Sequence, residues 1–311
     1  MKRALKKFLK KRYRGIFEAG QKIGLNILPN HFYSNIPDVR YLRKNDNWLK
    51  PLSMTGIEMN SADEQIKVVQ TICGIENMDQ LPLKSIHRKA IEENGEDGGF
   101  GPVESEFLHC FIKYYQPKKI IQVGCGVSTS VILTAAKEIN HNIQIICVEP
   151  YPTAYLIQKN KTKEIELIVK KAQETETDLY KDLQAGDLLF IDSTHTVKPG
   201  SEVNFLVFEI LPQLSKGVYV HFHDIYFPYD YGRNILSRDI FFWLENSLLY
   251  AFLIGNKKFR IMICLSMLHY EKSKELKELF RSYNPQENYF GTASGETKNR
   301  HFPASLYLEV Q

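Results

Sequence analysis

The fold is decided by the stretch Ile120-Ile121-Gln122-Val123-Gly124-Cys125-Gly126-Val127-Ser128-Thr129. A β-branched apolar run, typical of a buried strand, breaks into a turn with two glycines and continues as a helix. Gly124 and Gly126 allow the backbone to approach a ligand where a Cβ would clash, and Ser128 or Thr129 can cap the helix. The pattern predicts the first βα turn of a nucleotide-binding sheet.

Three further apolar strands are predicted after this turn, and each ends in a carboxylate: Glu149, Asp192 and Asp224. Because the carboxyl ends of parallel strands lie at one edge of a sheet, we expect these three acids to share one pocket. The distance along the chain from Gly124 to Glu149 is close to the ~20 residues typical of an acid that binds ribose hydroxyls. No third glycine follows Gly126 at the usual interval, which favours an adenosyl-type cofactor over NAD.

Composition excludes several classes of protein. The chain has 311 residues, 43% of them hydrophobic, which is enough for a large buried core. A net charge of +4, without a long basic tract mixed with aromatic residues in the middle of the chain, gives no reason to expect nucleic-acid binding. Five scattered cysteines, none in a CxxC pair, indicate reduced thiols and predict a cytoplasmic protein without structural zinc.

The N-terminus predicts a basic amphipathic helix. The first fourteen residues include eight lysines and arginines and no acid, with apolar residues at helical spacing among them. One interpretation is peripheral membrane contact through residues 1–16, to which each cation near an anionic surface would contribute about 1 kcal/mol. The other, which we favour because the apolar face is narrow, is docking on the protein's own domain or on a second copy in a homo-oligomer.

These motifs together resemble those of class I S-adenosylmethionine-dependent methyltransferases, and more closely the bacterial macrocin-type and sugar O-methyltransferase group. The resemblance covers residues 95–265 and is carried by four segments: 121–129, 147–152, 189–195 and 217–225. It implies a doubly wound, mostly parallel α/β sheet of seven strands. We therefore predict an N-terminal helical and irregular extension over residues 1–95 and a cofactor-binding domain over residues 96–311.

The resemblance also implies the cofactor and the residues that hold it. Gly124 and Gly126 would pass beneath the methionine part of S-adenosylmethionine, Glu149 would bind the ribose and Asp192 would lie beside the transferred methyl. The remaining members of the predicted cofactor set are Gln122, Ser128, Gln173 at the adenine edge, and Glu104. Gln122 stands where such enzymes usually carry an acid, so we expect Glu104 or Glu106 to supply the missing charge.

A base or a metal ion is expected beside the methyl group, because the acceptor must lose a proton. Asp192 and Asp224 match the two carboxylates of metal-dependent relatives, but Ile225 replaces the third ligand. His223 could take its place and complete a site for Mg²⁺ or another divalent cation. His195, His223 and Asp192 are the predicted catalytic residues, and His221 is expected to be structural.

The predicted function is methylation of a hydroxyl on a sugar, glycan precursor or secondary metabolite. The aromatic run 226–231 could stack on such an acceptor, whereas Arg238 and Trp243 are expected only to pack a helix over residues 239–253. The alternative is a non-catalytic scaffold that keeps the nucleoside-binding fold and docks through its basic N-terminus. A serine hydrolase is excluded because Ser128 lacks the Gly-x-Ser-x-Gly context.

Overall fold

The computed structural model describes residues 2–28, 32–74, 83–96, 98–233, 235–236, 241–285 and 303–311. The chain divides into two compact units, residues 1–46 and 47–311. The first unit contains helices α1 (Lys2–Lys22) and α2 (Val39–Leu42). Asp38 caps α2, since its carboxylate accepts a hydrogen bond from the backbone N–H of Arg40 at 2.9 Å. No helix within the described ranges is both long enough and apolar enough to cross a membrane.

The second unit alternates strands and helices, as the sequence predicted. Its strands are β1 (Lys119–Val123), β2 (Gln144–Val148), β3 (Glu166–Ile168), β4 (Leu188–Ile191), β5 (Tyr219–Phe222), β6 (Phe259–Cys264) and β7 (Leu306–Val310). Its α-helices are α3 (Ala62–Cys73), α4 (Leu83–Asn94), α5 (Pro102–Tyr115), α6 (Val127–Glu138), α7 (Ala154–Lys161), α8 (Asp178–Lys181), α9 (Glu202–Phe205), α10 (Glu245–Leu253), α11 (Leu265–Glu271) and α12 (Ser273–Leu279). Short 3₁₀ turns occur at Asp46–Leu49, which spans the boundary between the units, and within the second unit at Ala172–Glu174 and Leu211–Gln213.

The seven strands form one sheet in the order β3-β2-β1-β4-β5-β7-β6. The first five strands in chain order are parallel, whereas β7 runs antiparallel to both β5 and β6. The predicted fold class, a doubly wound and mostly parallel sheet of seven strands, is therefore confirmed. The order reverses direction at β1, where β2 lies on one side and β4 on the other, and this is the position at which open α/β sheets bind ligands.

Both faces of the sheet are buried, which explains why the strands are continuous apolar runs rather than alternating ones. Ile120 packs on one face together with Phe107 of α5 and Val131 of α6. Ile121, its neighbour, points to the opposite face, where it joins Leu206 and Leu249. Side chains alternate across a strand, so one run of branched residues supplies both cores.

The division between the units comes earlier than the predicted boundary at residues 95 and 96. Helices α3 and α4, which we had placed in the extension, pack against α5 and α6 and contribute Val69 and Ala90 to the core of the second unit. Ser61 is the N-cap of helix α3, and its side chain and that of Glu64 form a reciprocal capping box. The helical layer on this face of the sheet therefore starts at residue 62.

One predicted helix differs from the structure in where it begins. The helix expected over residues 239–253 begins at Glu245; Arg238 and residues 239–240 lie outside the described ranges, and residues 241–244 are not helical. After α9 the chain continues through a π-helical segment, Leu206–Ile210, in which Phe208 is 54% exposed.

A buried acid on α5 makes the stability of this fold depend on pH. The Glu106 side chain is fully buried and accepts a hydrogen bond from the hydroxyl of Ser282. Burial raises the pKa of Glu106 from its ordinary value of 4.5 to about 7, although the hydrogen bonds from Ser282 oppose the shift. The folded state therefore holds a proton that the unfolded state has already lost between these two pH values.

We predict that Glu106 lowers the free energy of unfolding by about 3 kcal/mol as the pH rises from roughly 4.5 to 7 and contributes no further change above that range. Glu106→Gln, which mimics the neutral acid, should remove this dependence. Urea unfolding at pH 5 and pH 8 measures the effect, with Glu278→Gln on the exposed face of α12 as the matched control. Equal pH dependence in the wild type and in Glu106→Gln would contradict the assignment.

Candidate functional site

A cavity of about 480 Å³ opens at the carboxyl ends of β1, β2, β4 and β5. Its walls include Gly124, Glu149, Asp192 and Asp224, the four positions that the sequence predicted to converge. This volume lies within the usual range for small-molecule sites, about 300–1,000 Å³. The turns that follow four parallel strands therefore form one concave surface.

The turn after β1 is packed so tightly that it requires glycine. Gly124 has φ +81°, and a Cβ built on it would lie 1.6 Å from the carbonyl oxygen of Asp192. Gly126 is less constrained, since a Cβ there would lie 3.3 Å from the side-chain amide nitrogen of Asn94. The hydroxyl of Thr129 accepts from the N–H of Gly126 at 3.2 Å, which holds the turn against the start of α6.

Glu149 is held rigidly at the end of β2. One carboxylate oxygen accepts from the backbone N–H of Tyr151 at 2.9 Å, and the other accepts from that of Cys125 at 3.3 Å. These bonds connect the turn after β2 to the turn after β1. Each oxygen keeps further lone pairs, so the carboxylate can also accept from a ligand inside the cavity.

Five residues of the predicted cofactor set line the cavity, and three do not. Those that line it are Gly124, Gly126, Ser128, Glu149 and Asp192. Gln122 is fully buried beneath the turn and donates to the hydroxyl of Ser128 at 3.2 Å. Its amide therefore supports the turn rather than contacting the cavity.

Glu104 and Gln173 are the other two that lie outside the cavity wall. Gln173 directs its amide to the carbonyl oxygen of Gly200 at 2.8 Å. Glu104, at 1% exposure, accepts from the backbone N–H of Ala304 at 2.9 Å, and its carboxylate lies 3.9 Å from Nε2 of His223. Burial raises the pKa of Glu104. Glu104 thus lies behind His223 and is not a wall residue, and Glu106 is committed to Ser282.

Two histidines and two aspartates form a charged cluster on one side of the cavity. Nδ1 of His223 lies 3.4 Å from a carboxylate oxygen of Asp192 and 3.8 Å from one of Asp224. Nε2 of His195 lies 3.6 Å from a carboxylate oxygen of each aspartate. One side-chain atom from each of Asp192, His195 and His223 falls within 4.8 Å of the others, close enough to share a cation.

The charges in this cluster stabilise one another. Burial alone would raise the pKa of Asp192, but the nearby positive charge of His223 and the hydrogen bonds from both histidines outweigh it and lower that pKa. Burial also opposes protonation of His223, yet Asp192 and Asp224 raise the pKa of that imidazole to about 9. The pKa of His195 is raised well above its ordinary value in the same way, by Asp192 and Glu245. Without a ligand, the cluster therefore favours imidazolium rings beside carboxylates.

His221 differs from the other two histidines. Its ring stacks on Phe190 with centroids 4.1 Å apart, and its Nε2 lies 2.9 Å from the hydroxyl of Ser305. Burial, and secondarily the charge of His223, lowers its pKa well below the ordinary value. This environment agrees with the structural role that we expected.

Sequence reasoning missed several residues of the site. Asn94, Thr153 and Trp243 line the cavity, and Glu245 lies directly behind His195. Trp243, expected only to pack a helix, has its ring centroid 4.8 Å from that of His195. Thr153 caps α7 and donates to the Asn94 side-chain oxygen at 3.0 Å. The capping position of Thr153 was readable from the sequence, but nothing local marked the other three.

Comparison with known proteins agrees with this geometry. Residues 121–225 match the family model described as "Methyltransferase domain", a segment that runs from β1 through Glu149 and Asp192 to the end of β5. The expected enzyme class, a methyltransferase, is supported for the segment that carries the site. A protein of Archaeoglobus fulgidus, itself described as uncharacterized, is 27% identical over 141 residues, which are 44% of this chain and 63% of that protein. The chain thus matches less than two thirds of that relative's length.

Solved structures with a similar arrangement include the SAH-bound methyltransferase PaMTH1 of Podospora anserina, at 14% identity and a TM-score of 0.36 over 92% of this chain and 99% of that one. Another is the branched-chain polyamine synthase of Thermus thermophilus, at 11% identity and a TM-score of 0.38 over 75% of this chain and 65% of that one. These likenesses are too distant to carry an argument about activity.

We predict that Gly124→Ala destabilises the protein strongly, because the new methyl would overlap the Asp192 carbonyl in addition to adopting an unfavourable φ. Gly186→Ala is the matched control, since Gly186 has φ +90° but nothing within 4 Å of its Cβ position. The control should cost about 1–3 kcal/mol from backbone strain alone, and Gly124→Ala several kcal/mol more or fail to fold. If thermal unfolding showed equal losses of stability for the two variants, the close approach to Asp192 would be unimportant.

Proposed function

We propose that this protein transfers a methyl group from S-adenosylmethionine to a hydroxyl of a small-molecule or saccharide acceptor. The observation that carries the proposal is the convergence of Gly124, Glu149, Asp192 and Asp224 on one cavity, within the segment that matches a methyltransferase domain. The macrocin-type and sugar O-methyltransferase resemblance is the reason for naming this acceptor class. The scaffold alternative requires a cavity that binds no cofactor.

The cofactor is proposed to lie along the ends of β1 and β2. Glu149 would accept hydrogen bonds from the ribose hydroxyls with the lone pairs that its backbone contacts leave free. The methionine part would lie over Gly124 and Gly126, and its carboxylate would face the N-terminal N–H groups of α6. The sulfonium would then be directed towards Asp192 and Asp224, whose negative charges complement it.

Methyl transfer would be an in-line displacement at the sulfonium carbon. The bond from the acceptor oxygen to the methyl carbon forms as the carbon–sulfur bond breaks, and the hydroxyl proton passes to a base. His195 is the proposed base because its Nε2 faces the cavity between Asp192 and Asp224. A base must be neutral when the acceptor binds, and the incoming sulfonium opposes protonation of His195 by bringing a positive charge into the same cavity.

A divalent cation is a second proposal for the same cluster. Asp192, Asp224 and His223 provide two carboxylates and an imidazole on one side of the cavity, a donor set that suits Mg²⁺ or another divalent ion. A bound cation would supply Lewis-acid activation of the acceptor oxygen. His195 would remain the proton acceptor in either arrangement.

Peripheral membrane contact through residues 1–16 and self-association remain proposals drawn from the basic N-terminus. In the part of this segment whose side chains are described, Tyr13 is 45% and Ile16 is 49% exposed.

We predict that S-adenosylmethionine binds and that Glu149→Gln weakens its binding. Loss of a charged hydrogen-bonding partner costs about 1.5–3 kcal/mol, which raises Kd by roughly 10- to 100-fold. Titration calorimetry measures this, with Glu166→Gln at the exposed start of β3 as the control that should bind like the wild type. No binding by the wild type would favour the scaffold over the enzyme.

We predict that His195→Gln lowers kcat by about 10²- to 10⁴-fold, the usual contribution of general-base catalysis, while the affinity for S-adenosylmethionine changes little. Release of S-adenosylhomocysteine would be followed with a panel of catechols, glycosides and nucleotide sugars. Repeating the assay after EDTA treatment, with and without added Mg²⁺, separates the metal-assisted arrangement from the metal-free one. Unchanged turnover in His195→Gln would place the base elsewhere.

A further inference from the structure

Glu245, the first residue of α10, contacts His195 at two points. A carboxylate oxygen of Glu245 lies 2.7 Å from Nδ1 of His195, and the backbone N–H of Glu245 donates to the carbonyl oxygen of His195 at 3.2 Å. Glu245 is only 2% exposed and is not part of the cavity wall. Glu245 therefore contacts the Nδ1 edge of the imidazole, while the Nε2 edge faces the cavity.

The short contact determines which ring nitrogen carries the proton. Burial opposes protonation of His195, but its hydrogen bonds to Asp192 and Glu245 outweigh burial and raise the pKa of the imidazole, so the proton shared with Glu245 resides on Nδ1. Nε2 is then the nitrogen presented to the cavity, 3.6 Å from both Asp192 and Asp224. Since a buried carboxylate is costly unless it is paired, this proton arrangement is also the one that stabilises Glu245.

Nothing else in the described part of the chain competes for that carboxylate. The second oxygen of Glu245, Oε1, is buried and has no hydrogen-bonding partner among the described residues. The carboxylate therefore depends on His195 for its pairing. A residue placed only to stabilise the fold would be expected to satisfy both oxygens.

The imidazole is constrained from other directions as well. His195 has φ +57°, a conformation that a residue with a side chain adopts only when its surroundings enforce it. The Trp243 ring packs against the imidazole at a tilt of 46°, two residues before Glu245. Residues 243–245 thus hold both the backbone and the ring of His195.

We propose that Glu245 is a positioning residue, which fixes the Nδ1–H tautomer and the ring orientation of His195 so that Nε2 can accept the hydroxyl proton. This inference rests on the proposed function, because it assigns a role within the same reaction. The proton taken at Nε2 gives an imidazolium that Glu245 stabilises from the opposite nitrogen; Glu245 itself exchanges no proton with the acceptor.

A neighbouring glutamate provides a matched control. Glu202 is also buried, and it holds the same loop by accepting from the backbone N–H of Thr194 at 3.0 Å. It supports the loop through the residue before His195 and neither lines the cavity nor has an imidazole contact. Glu202→Gln therefore tests loop support, whereas Glu245→Gln removes the charge behind the imidazole at almost constant volume.

The first test is acceptor-independent and uses the full chain labelled with ¹⁵N-histidine. The protein has nine histidines, so the signal of His195 is assigned by its loss in His195→Gln. We expect a far-downfield, slowly exchanging proton on Nδ1 that persists in Glu202→Gln and is lost or moved upfield in Glu245→Gln. The same signal in Glu245→Gln as in the wild type would overturn the proposal. Thermal unfolding of each variant confirms that it is folded.

The second test is kinetic and uses an acceptor identified in the turnover screen. Glu245→Gln should lower kcat by about 10- to 100-fold with KM for S-adenosylmethionine unchanged, Glu245→Asp should recover part of the loss, and Glu202→Gln should match the wild type. Equal losses in Glu245→Gln and Glu202→Gln, or a change in KM alone, would reduce Glu245 to loop support and overturn the proposal. If the wild type neither binds S-adenosylmethionine nor turns over, the proposed function fails, and the Nδ1 signal still decides whether the pair exists.

Discussion

The site depends on one constraint, which is that the turns after β1, β2, β4 and β5 pack against each other as closely as the strands do. The hydrogen-bond ladder continues past the ends of the strands: Gly124 donates to Val148, Asp192 to Val123 and His223 to Ile191, at 2.8–3.2 Å. The backbone at Gly124 also approaches the Asp192 carbonyl too closely for any Cβ. The residues that follow the strands are therefore placed by the sheet itself and not by mobile loops, which gives a chemical site the precision that it needs.

Placing two histidines beside two aspartates at low exposure is stable only because each charge has a partner. His195 and His223 both lie within 4 Å of Asp192 and Asp224, and each also has a second acid behind it: Glu245 for His195 and Glu104 for His223. Removing Asp192 or Asp224 would take a carboxylate partner away from both imidazoles at once. Asp192 and Asp224 line the cavity as well as contacting the imidazoles, so they can also pair with a bound cation. The cluster is thus suited to a positively charged ligand, as a sulfonium or a divalent metal is.

The sequence was sufficient to predict the site wherever a local pattern determines where a residue lies in the fold. Apolar runs that end in Glu149, Asp192 and Asp224 indicate parallel strands, and topology alone then brings their ends together. The sequence was insufficient wherever contacts between distant segments decide the position of a side chain. Gln122 sits where an acid was expected, but the fold turns its amide towards Ser128, and Gln173 is drawn to Gly200. Glu245 lies fifty residues from His195 along the chain, and no local spacing could connect them. Helices α3 and α4 belong to the core although the sequence before β1 looked like an extension.

Glu104 and Glu106, which were expected to supply the charge that Gln122 lacks, lie in two different environments. Glu104 and Glu106 lie two residues apart on α5, so they point to different sides of the helix. Glu104 reaches the back of His223, whereas Glu106 is bound to Ser282 and away from the cavity. Glu104 thus remains near the site, but its carboxyl group faces an imidazole and not the cofactor cavity. With Gln122 neutral and buried, the acids at the cavity wall are Glu96, Glu149, Asp192 and Asp224. In the proposed orientation, a bound cofactor would face Glu149 at its ribose, Asp192 and Asp224 at its reacting centre, and the N-terminal backbone dipoles of α6 at its methionine part.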